Sequence, residues 1–162
     1  AVEMDGPVYL RFGRLAVPVV TPADYTFKIG KGAVLRDGKD VTIVATGLMV
    51  GEALIAAEQL AGEGISARVI NMATIKPIDR DILVEAARDT GALVTAEEHN
   101  IIGGLGSAVA EVICETLPVP VLRVGVNDTF GSSGPALELL KKYGLCAENI
   151  AARAKEAYRL KK

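Results

Sequence analysis

Short apolar runs alternate with longer amphipathic ones along most of this chain. From Lys39 onward the alternation is regular. VTIVA at residues 41–45 is a short, β-branched apolar run, the pattern of a strand covered on both faces. Thr46-Gly47 turns the chain, and residues 49–61 carry Ala53, Leu54, Ala57 and Leu60 along one helical stripe that Gly62 and Gly64 bring to an end. ARVIN at 67–71 is a second buried strand. Pro77-Ile78-Asp79 opens the next helix: Asp79 is placed to cap its free amides and Ile78 to staple onto Leu83. That helix runs to Arg88, and Gly91 closes it. ALVTA at 92–96 is a third strand, and a helix over 106–117 turns Val109, Val112, Ile113 and Thr116 inward. A fourth strand spans 119–124 and a loop spans 125–134. Two helices, over 135–143 and 147–160, finish the chain on either side of Gly144.

Strands separated by helices of several turns predict right-handed crossovers and a parallel sheet. GKGAVLRD at 30–37 adds an edge strand. The expected fold class is α/β: a three-layer α/β/α sandwich with a mostly parallel sheet of about five strands. Ahead of it, residues 7–13 alternate enough to read as a strand. AVPVVTPADYT at 16–26, with its prolines, reads as an extended linker. The chain therefore divides into residues 1–26 and 27–162. It starts without an initiator Met, and we expect it to be cut from a longer polypeptide.

Composition narrows the function classes. The 162 residues are 50% hydrophobic and 23% charged, with net charge −2. Both signs are mixed along the chain, so neither nucleic acid nor an anionic membrane is an expected partner. Apolar runs fall short of the ~18 residues a spanning helix needs, and no signal-peptide pattern is visible. Cys114 and Cys146 lie in no CxxC spacing, and His99 is the one histidine, so no metal site is expected. Cys114 falls in an apolar helical pattern and reads as a small core hydrophobe. The expected setting is a reducing cytoplasm.

Three segments carry candidate chemistry. The first is Glu97-Glu98-His99-Asn100-Ile101-Ile102-Gly103-Gly104-Leu105-Gly106-Ser107, between a strand and a helix, where ligands of open α/β sheets bind. Glycines at a helix start admit an anion to free amides, and a carboxylate pair beside His99 suits acid–base work. Against this, the spacing is GGxG rather than GxGxxG, and no ribose-binding acid follows at the distance a dinucleotide site needs. A tight turn packing helix on sheet, or subunit on subunit, is the favoured reading for Gly103, Gly104 and Gly106. The second segment holds Arg11 and Arg14 at the end of the 7–13 strand, guanidinium forks suited to phosphate or to a salt-bridged surface. The third is the loop Asn127-Asp128-Thr129-Phe130-Gly131-Ser132-Ser133-Gly134, which offers capping groups to the following helix and an exposed Phe130 as a contact surface. No GxSxG elbow is present, so no triad assembles and no catalytic residue is assigned.

These pieces, in this order, resemble the carboxy-terminal domain of transketolases. Gly6-Pro7-Val8-Tyr9-Leu10-Arg11-Phe12-Gly13-Arg14 is similar to the last strand of the preceding pyrimidine-binding domain. Lys39-Asp40-Val41-Thr42-Ile43-Val44-Ala45-Thr46-Gly47 is similar to the first core strand and turn. Ile75-Lys76-Pro77-Ile78-Asp79, Thr95-Ala96-Glu97-Glu98-His99 with Gly103-Gly104-Leu105-Gly106, and Ser133-Gly134-Pro135 with Tyr143-Gly144-Leu145 complete the match. Transketolase, 1-deoxyxylulose-5-phosphate synthase and the β subunit of 2-oxo-acid dehydrogenases share this domain. Glu97-Glu98-His99 and the Ser133-Gly134-Pro135 ending look most like transketolase, especially its split type.

The resemblance implies a transferase that passes a two-carbon ketol unit from a ketose phosphate to an aldose phosphate with thiamine diphosphate and Mg²⁺. It places those cofactors in earlier domains of the complete enzyme, and none in this chain alone, which is expected to be inactive. Implied partners are the diphosphate- and pyrimidine-binding domains, a second copy in a homodimer, and sugar phosphates. It makes residues 1–26 the tail strand and linker of the pyrimidine-binding domain. Arg14 resembles the arginine that holds the substrate phosphate, and Arg11 matches less closely. Glu98, His99, Gly103, Gly104 and Gly106 are expected at an interface or ligand loop. A free-standing nucleotide- or protein-binding module is the alternative of another class.

Overall fold

The computed structural model describes residues 1–161, so Lys162, the last residue of the expected 27–162 domain, lies outside the described residues. The sheet has strands β1 (Ala33–Arg36), β2 (Val41–Ala45), β3 (Ala67–Asn71), β4 (Leu93–Asn100) and β5 (Val121–Val126), in the order β1-β3-β2-β4-β5. All neighbours are parallel except β1, which pairs antiparallel with β3. The helices are α1 (Met49–Gly62), α2 (Arg80–Thr90), α3 (Leu105–Glu115), α4 (Ala136–Lys142) and α5 (Ala147–Arg159). α1 and α5 bury Leu60 and Ile150 with Ile43 and Val69 on one face of the sheet. α2 and α3 bury Leu83, Val109 and Ile113 with Val44 and Ile70 on the other. Every residue of β2 is buried, because helices cover both of its faces. The three layers and the mostly parallel sheet are those the hydrophobic pattern predicts.

Local signals act as their chemistry dictates. The Asp79 carboxylate accepts from the Ile82 amide at 3.4 Å as the N-cap of α2, and from the Gly32 amide at 3.1 Å, tying the approach to β1 onto that helix. Gly91 closes α2 in the left-handed region at φ 68°. The edge strand appears, shorter than 30–37 and bulged between Val34 and Arg36.

Several boundaries differ from expectation. The fourth strand starts at Val121 rather than 119, because Pro120 has no N–H to give a ladder. It extends to Val126 because β4 also continues, pairing Asn100 with Val126. Cys114 is exposed, not a core residue. It follows Ile113, and one residue turns a helix by roughly 100°, so it leaves the inner face. Thr116 is exposed at the end of α3, its hydroxyl donating back to the Val112 carbonyl at 2.6 Å. The 127–134 loop gives α4 no side-chain cap; Pro135 stands at its N-cap. The loop bonds the other end of that helix instead, where Lys142 Nζ donates to Ser132 Oγ at 2.7 Å and Tyr143 OH donates to the Phe130 carbonyl at 3.1 Å. Phe130 is fully exposed.

Residues 7–13 are not a strand here. They form an exposed arm that pairs with no strand of the sheet. The arm is anchored behind them: Val20 packs on the α1–α5 core, and Pro18 lies against Gly51 of α1, 3.0 Å from where a Cβ would stand.

The tightest approach of a glycine to another backbone segment is at Gly38, before β2. A Cβ there would sit 2.3 Å from the Ala67 carbonyl carbon and the Arg68 nitrogen, both backbone atoms of β3. Gly38→Ala is expected to lower unfolding free energy by about 1–3 kcal/mol, as overpacking against backbone does. Urea denaturation checks this; an unchanged midpoint would mean the β1–β2 turn moves freely.

Candidate functional site at the carboxyl edge of the sheet

The long β4 strand organises the carboxyl edge. The β4–β5 ladder is irregular between Ala96 and Asn100, and within it the adjacent acids Glu97 and Glu98 part. Glu97 is fully buried, whereas Glu98 and His99 are exposed. The Glu97 carboxylate lies over the start of α3: Oε2 accepts from the Leu105 amide and Oε1 from the Gly106 amide, both at 2.8 Å. The amides are orphan donors of the first helical turn, and the positive end of the helix dipole faces the same carboxylate. Charge-assisted bonds of this kind offset the desolvation of a buried acid.

The glycines are there for this contact. A Cβ at Gly104 would stand 1.9 Å from Glu97 Oε2, and one at Gly125 would stand 3.2 Å from Glu97 Cγ and 2.9 Å from the His99 carbonyl oxygen. At Gly106 it would meet Thr95 Oγ1 at 2.8 Å and Arg123 Cδ at 2.7 Å. Gly103 adopts φ 79° in the turn, with its amide donating to Ser107 Oγ at 2.9 Å. The GGxG turn is thus shaped around the protein's own carboxylate, which fills the position a bound anion would take at that helix start. Sequence reasoning gave Glu97 no role apart from its neighbour. The available signal was an acid at a strand end followed by a glycine turn into a helix.

Glu98 and His99 face a different space. A cleft of about 970 Å³ opens between the arm and the carboxyl ends of the strands. Arg11 and Arg14 line it from the arm, Thr46 and Leu48 from the β2–α1 turn, Asn71 from the end of β3, and Glu98 and His99 from β4. The structure therefore brings four of the sequence-predicted residues, Arg11, Arg14, Glu98 and His99, onto one cavity. It sets Gly103, Gly104 and Gly106 apart from that cavity, around Glu97. Thr46, Asn71 and Tyr143 also line the cleft, and no motif had pointed to them. Burial pushes the Cys146 thiol up, away from the range of a reactive thiolate.

An α/β domain with a self-filled helix start and an arginine-bearing arm over its sheet edge is the class this geometry defines. Residues 30–150 match the family model described as "Transketolase, C-terminal domain", and the chain belongs to that family. It is 51% identical over 152 residues to a 6-deoxy-6-sulfo-D-fructose transketolase subunit of Clostridium sp. (strain MSTE9), covering 94% of this chain and 47% of that protein. A 1-deoxy-D-xylulose-5-phosphate synthase of Heliobacterium modesticaldum is 43% identical over 159 residues, covering 96% of this chain and 25% of that protein. A solved structure titled "Split gene transketolase, inactive beta4 tetramer" superposes with a TM-score of 0.93 at 58% identity, covering 99% of this chain and 53% of that one. The chain thus spans about half the length of the transketolase subunits it matches, and a quarter of the synthase.

Thiamine diphosphate with Mg²⁺, the group this family implies, does not fit the residues present. Among the described residues no three His, Cys, Asp or Glu side chains converge to hold a metal ion. The amides at the α3 start that suit a diphosphate are taken by Glu97. No step of the chemistry is therefore assigned to this chain through that group. Among the described residues, too, no helix is long and apolar enough to cross a membrane.

Glu97→Gln keeps the side chain's shape and replaces one acceptor by a donor facing an amide. It is expected to lower unfolding free energy by about 1–3 kcal/mol, whereas Glu98→Gln, on an exposed side chain, should stay within about 0.5 kcal/mol. Guanidinium denaturation of both variants decides it, and equal effects would remove Glu97 from its role at the turn.

Proposed function

We propose that this chain is the carboxy-terminal section of a transketolase-type transferase, which moves a two-carbon ketol unit between sugar phosphates with thiamine diphosphate. The observation that carries the reading is the 51% identity, over nearly the whole chain, to a transketolase subunit twice as long. On this reading residues 1–26 belong with a pyrimidine-binding domain and residues 27–162 form the packing domain. The partners are the diphosphate- and pyrimidine-binding domains and a second copy of the complete enzyme, in the cytoplasm. The chain by itself is inactive.

Arg14, with Arg11 beside it, is proposed to hold the substrate phosphate. Both are exposed on the arm, and a guanidinium fork meets phosphate oxygens in pairs. This chain then contributes binding and orientation. No residue of it is assigned to moving a proton.

The 43% identity to a 1-deoxy-D-xylulose-5-phosphate synthase favours a second reading, as the carboxy-terminal part of that enzyme. A ketol-transfer assay with thiamine diphosphate and Mg²⁺ tests both, run on this chain and again with the diphosphate-binding part added. Activity in the mixture alone is expected. Formation of 1-deoxyxylulose 5-phosphate in place of ketol transfer would move the chain to the second reading, and turnover by this chain unaided would overturn both.

In the complete enzyme, Arg14→Ala should raise KM for phosphorylated ketoses by about tenfold or more, the loss of a charge-assisted contact, and leave unphosphorylated ketoses nearly unchanged. Equal changes for both substrates would remove Arg14 from phosphate binding.

A further inference from the structure

Glu97 sits at the start of α3 in the manner of a bound ligand. Each of its carboxylate oxygens takes one backbone amide, Oε2 that of Leu105 and Oε1 that of Gly106, both at 2.8 Å. Amides at a helix start bind oxyanions whether or not a covalent tether brings them. A second polar group faces the same turn and is left unused. Thr95 is fully buried, and its Oγ1 is the one buried side-chain nitrogen or oxygen among the described residues without a hydrogen-bond partner. It lies against Gly106, where a Cβ would stand 2.8 Å from it. Buried hydroxyls are ordinarily paired, and an unpaired one costs stability. Arg123, which pairs with Thr95 in the ladder, lays Cγ and Cδ against Gly106 and donates from Nη1 to the Ile101 carbonyl at 2.9 Å, so a cation borders the turn as well.

The walls set the size of what fits. A Cβ on Gly104 would overlap Glu97 Oε2 at 1.9 Å, and one on Gly125 would stand 3.2 Å from Glu97 Cγ. Glycine at both places leaves room for a flat carboxyl group and the carbon before it. Beyond its Cβ, Glu97 has the heavy atoms of an acetate ion: Cγ, Cδ and the two oxygens.

We propose that the start of α3 is a binding site for a small monocarboxylate, filled in this chain by its own Glu97 and able to take a free carboxylate once that side chain is shortened. The Leu105 and Gly106 amides hold the oxygens. The Thr95 hydroxyl, unpaired beside the tethered group, is the third donor. The site is separate from the arm and the cleft, and nothing in it depends on ketol transfer.

The test is urea denaturation of the chain carrying Glu97→Ala, in sodium acetate and in sodium chloride of equal ionic strength. Acetate at about ten times its dissociation constant is expected to lower the unfolding constant about tenfold relative to chloride, since it binds the folded state. The unaltered chain, its site already full, should respond alike to both salts. Propionate, one carbon longer, should act weakly on Glu97→Ala and well on Glu97→Gly, where the Cβ is gone too. Adding Gly104→Ala to Glu97→Ala puts a Cβ where Oε2 stood and should abolish the acetate response. Thr95→Val in the Glu97→Ala background should weaken acetate by about fivefold; an unchanged affinity overturns the share assigned to Thr95. If Glu97→Ala is unfolded in chloride, recovery of its native circular dichroism in acetate becomes the readout. The inference is overturned if Glu97→Ala stays unfolded in acetate and Glu97→Gly in propionate. It is overturned equally if Glu97→Ala responds the same to acetate and chloride, or if the acetate response survives Gly104→Ala.

Discussion

A carboxylate buried against the start of a helix is the interaction on which the working edge of this domain depends. Moving the Glu97 charge out of water costs several kcal/mol unless polar groups replace the lost hydration. Two backbone amides at 2.8 Å and the α3 dipole supply that replacement. The consequences spread from there. Gly104 and Gly125 have no room for a Cβ beside the acid. The turn is drawn tight, and the Ile101 amide pairs with the Val126 carbonyl at 3.0 Å, holding the ends of β4 and β5 together.

The same contact closes the anion position at the start of α3. A glycine turn leading into a helix is a ready anion site when its amides are free. Here they are spent on the protein's own side chain, and the turn serves packing. Polar groups without partners gather instead at the β2 and β4 ends, under an arm that brings arginines. One side of the strand end is thus closed by a buried carboxylate and the other opens on a cleft.

How much of this was legible in the sequence varies with the physics behind each signal. The buried strands were readable because a strand covered on both sides is mostly apolar, and VTIVA and ALVTA carry a single threonine each. The Asp79 cap was readable because its acceptor and its amide are close in sequence. The start of β5 was misjudged by periodicity, which ignores that Pro120 cannot donate. Cys114 was misplaced because an apolar neighbourhood does not fix a residue's angle on a helix. Glu97 escaped because an acid ordinarily reads as surface, and its donors arrive eight and nine residues later around a turn. The cleft escaped in part because Asn71 and Thr46 join it only through the sheet.

The arm and the domain also differ in how they satisfy their apolar residues. The domain's core side chains are enclosed, with Ile43, Leu60, Leu83 and Ile150 at 0% exposure. On the arm, Tyr9, Phe12 and Val19 are 87%, 83% and 92% exposed. Single exposed apolar residues are ordinary, but a succession of them along one segment marks a contact surface. The core closes without that segment, whose hold on it runs through Pro18 and Val20. A chain built this way has one part that folds around its own carboxylate and one whose apolar and cationic groups stay exposed. That division suits the proposed role: a stable block whose arm brings a phosphate-binding arginine into a larger enzyme.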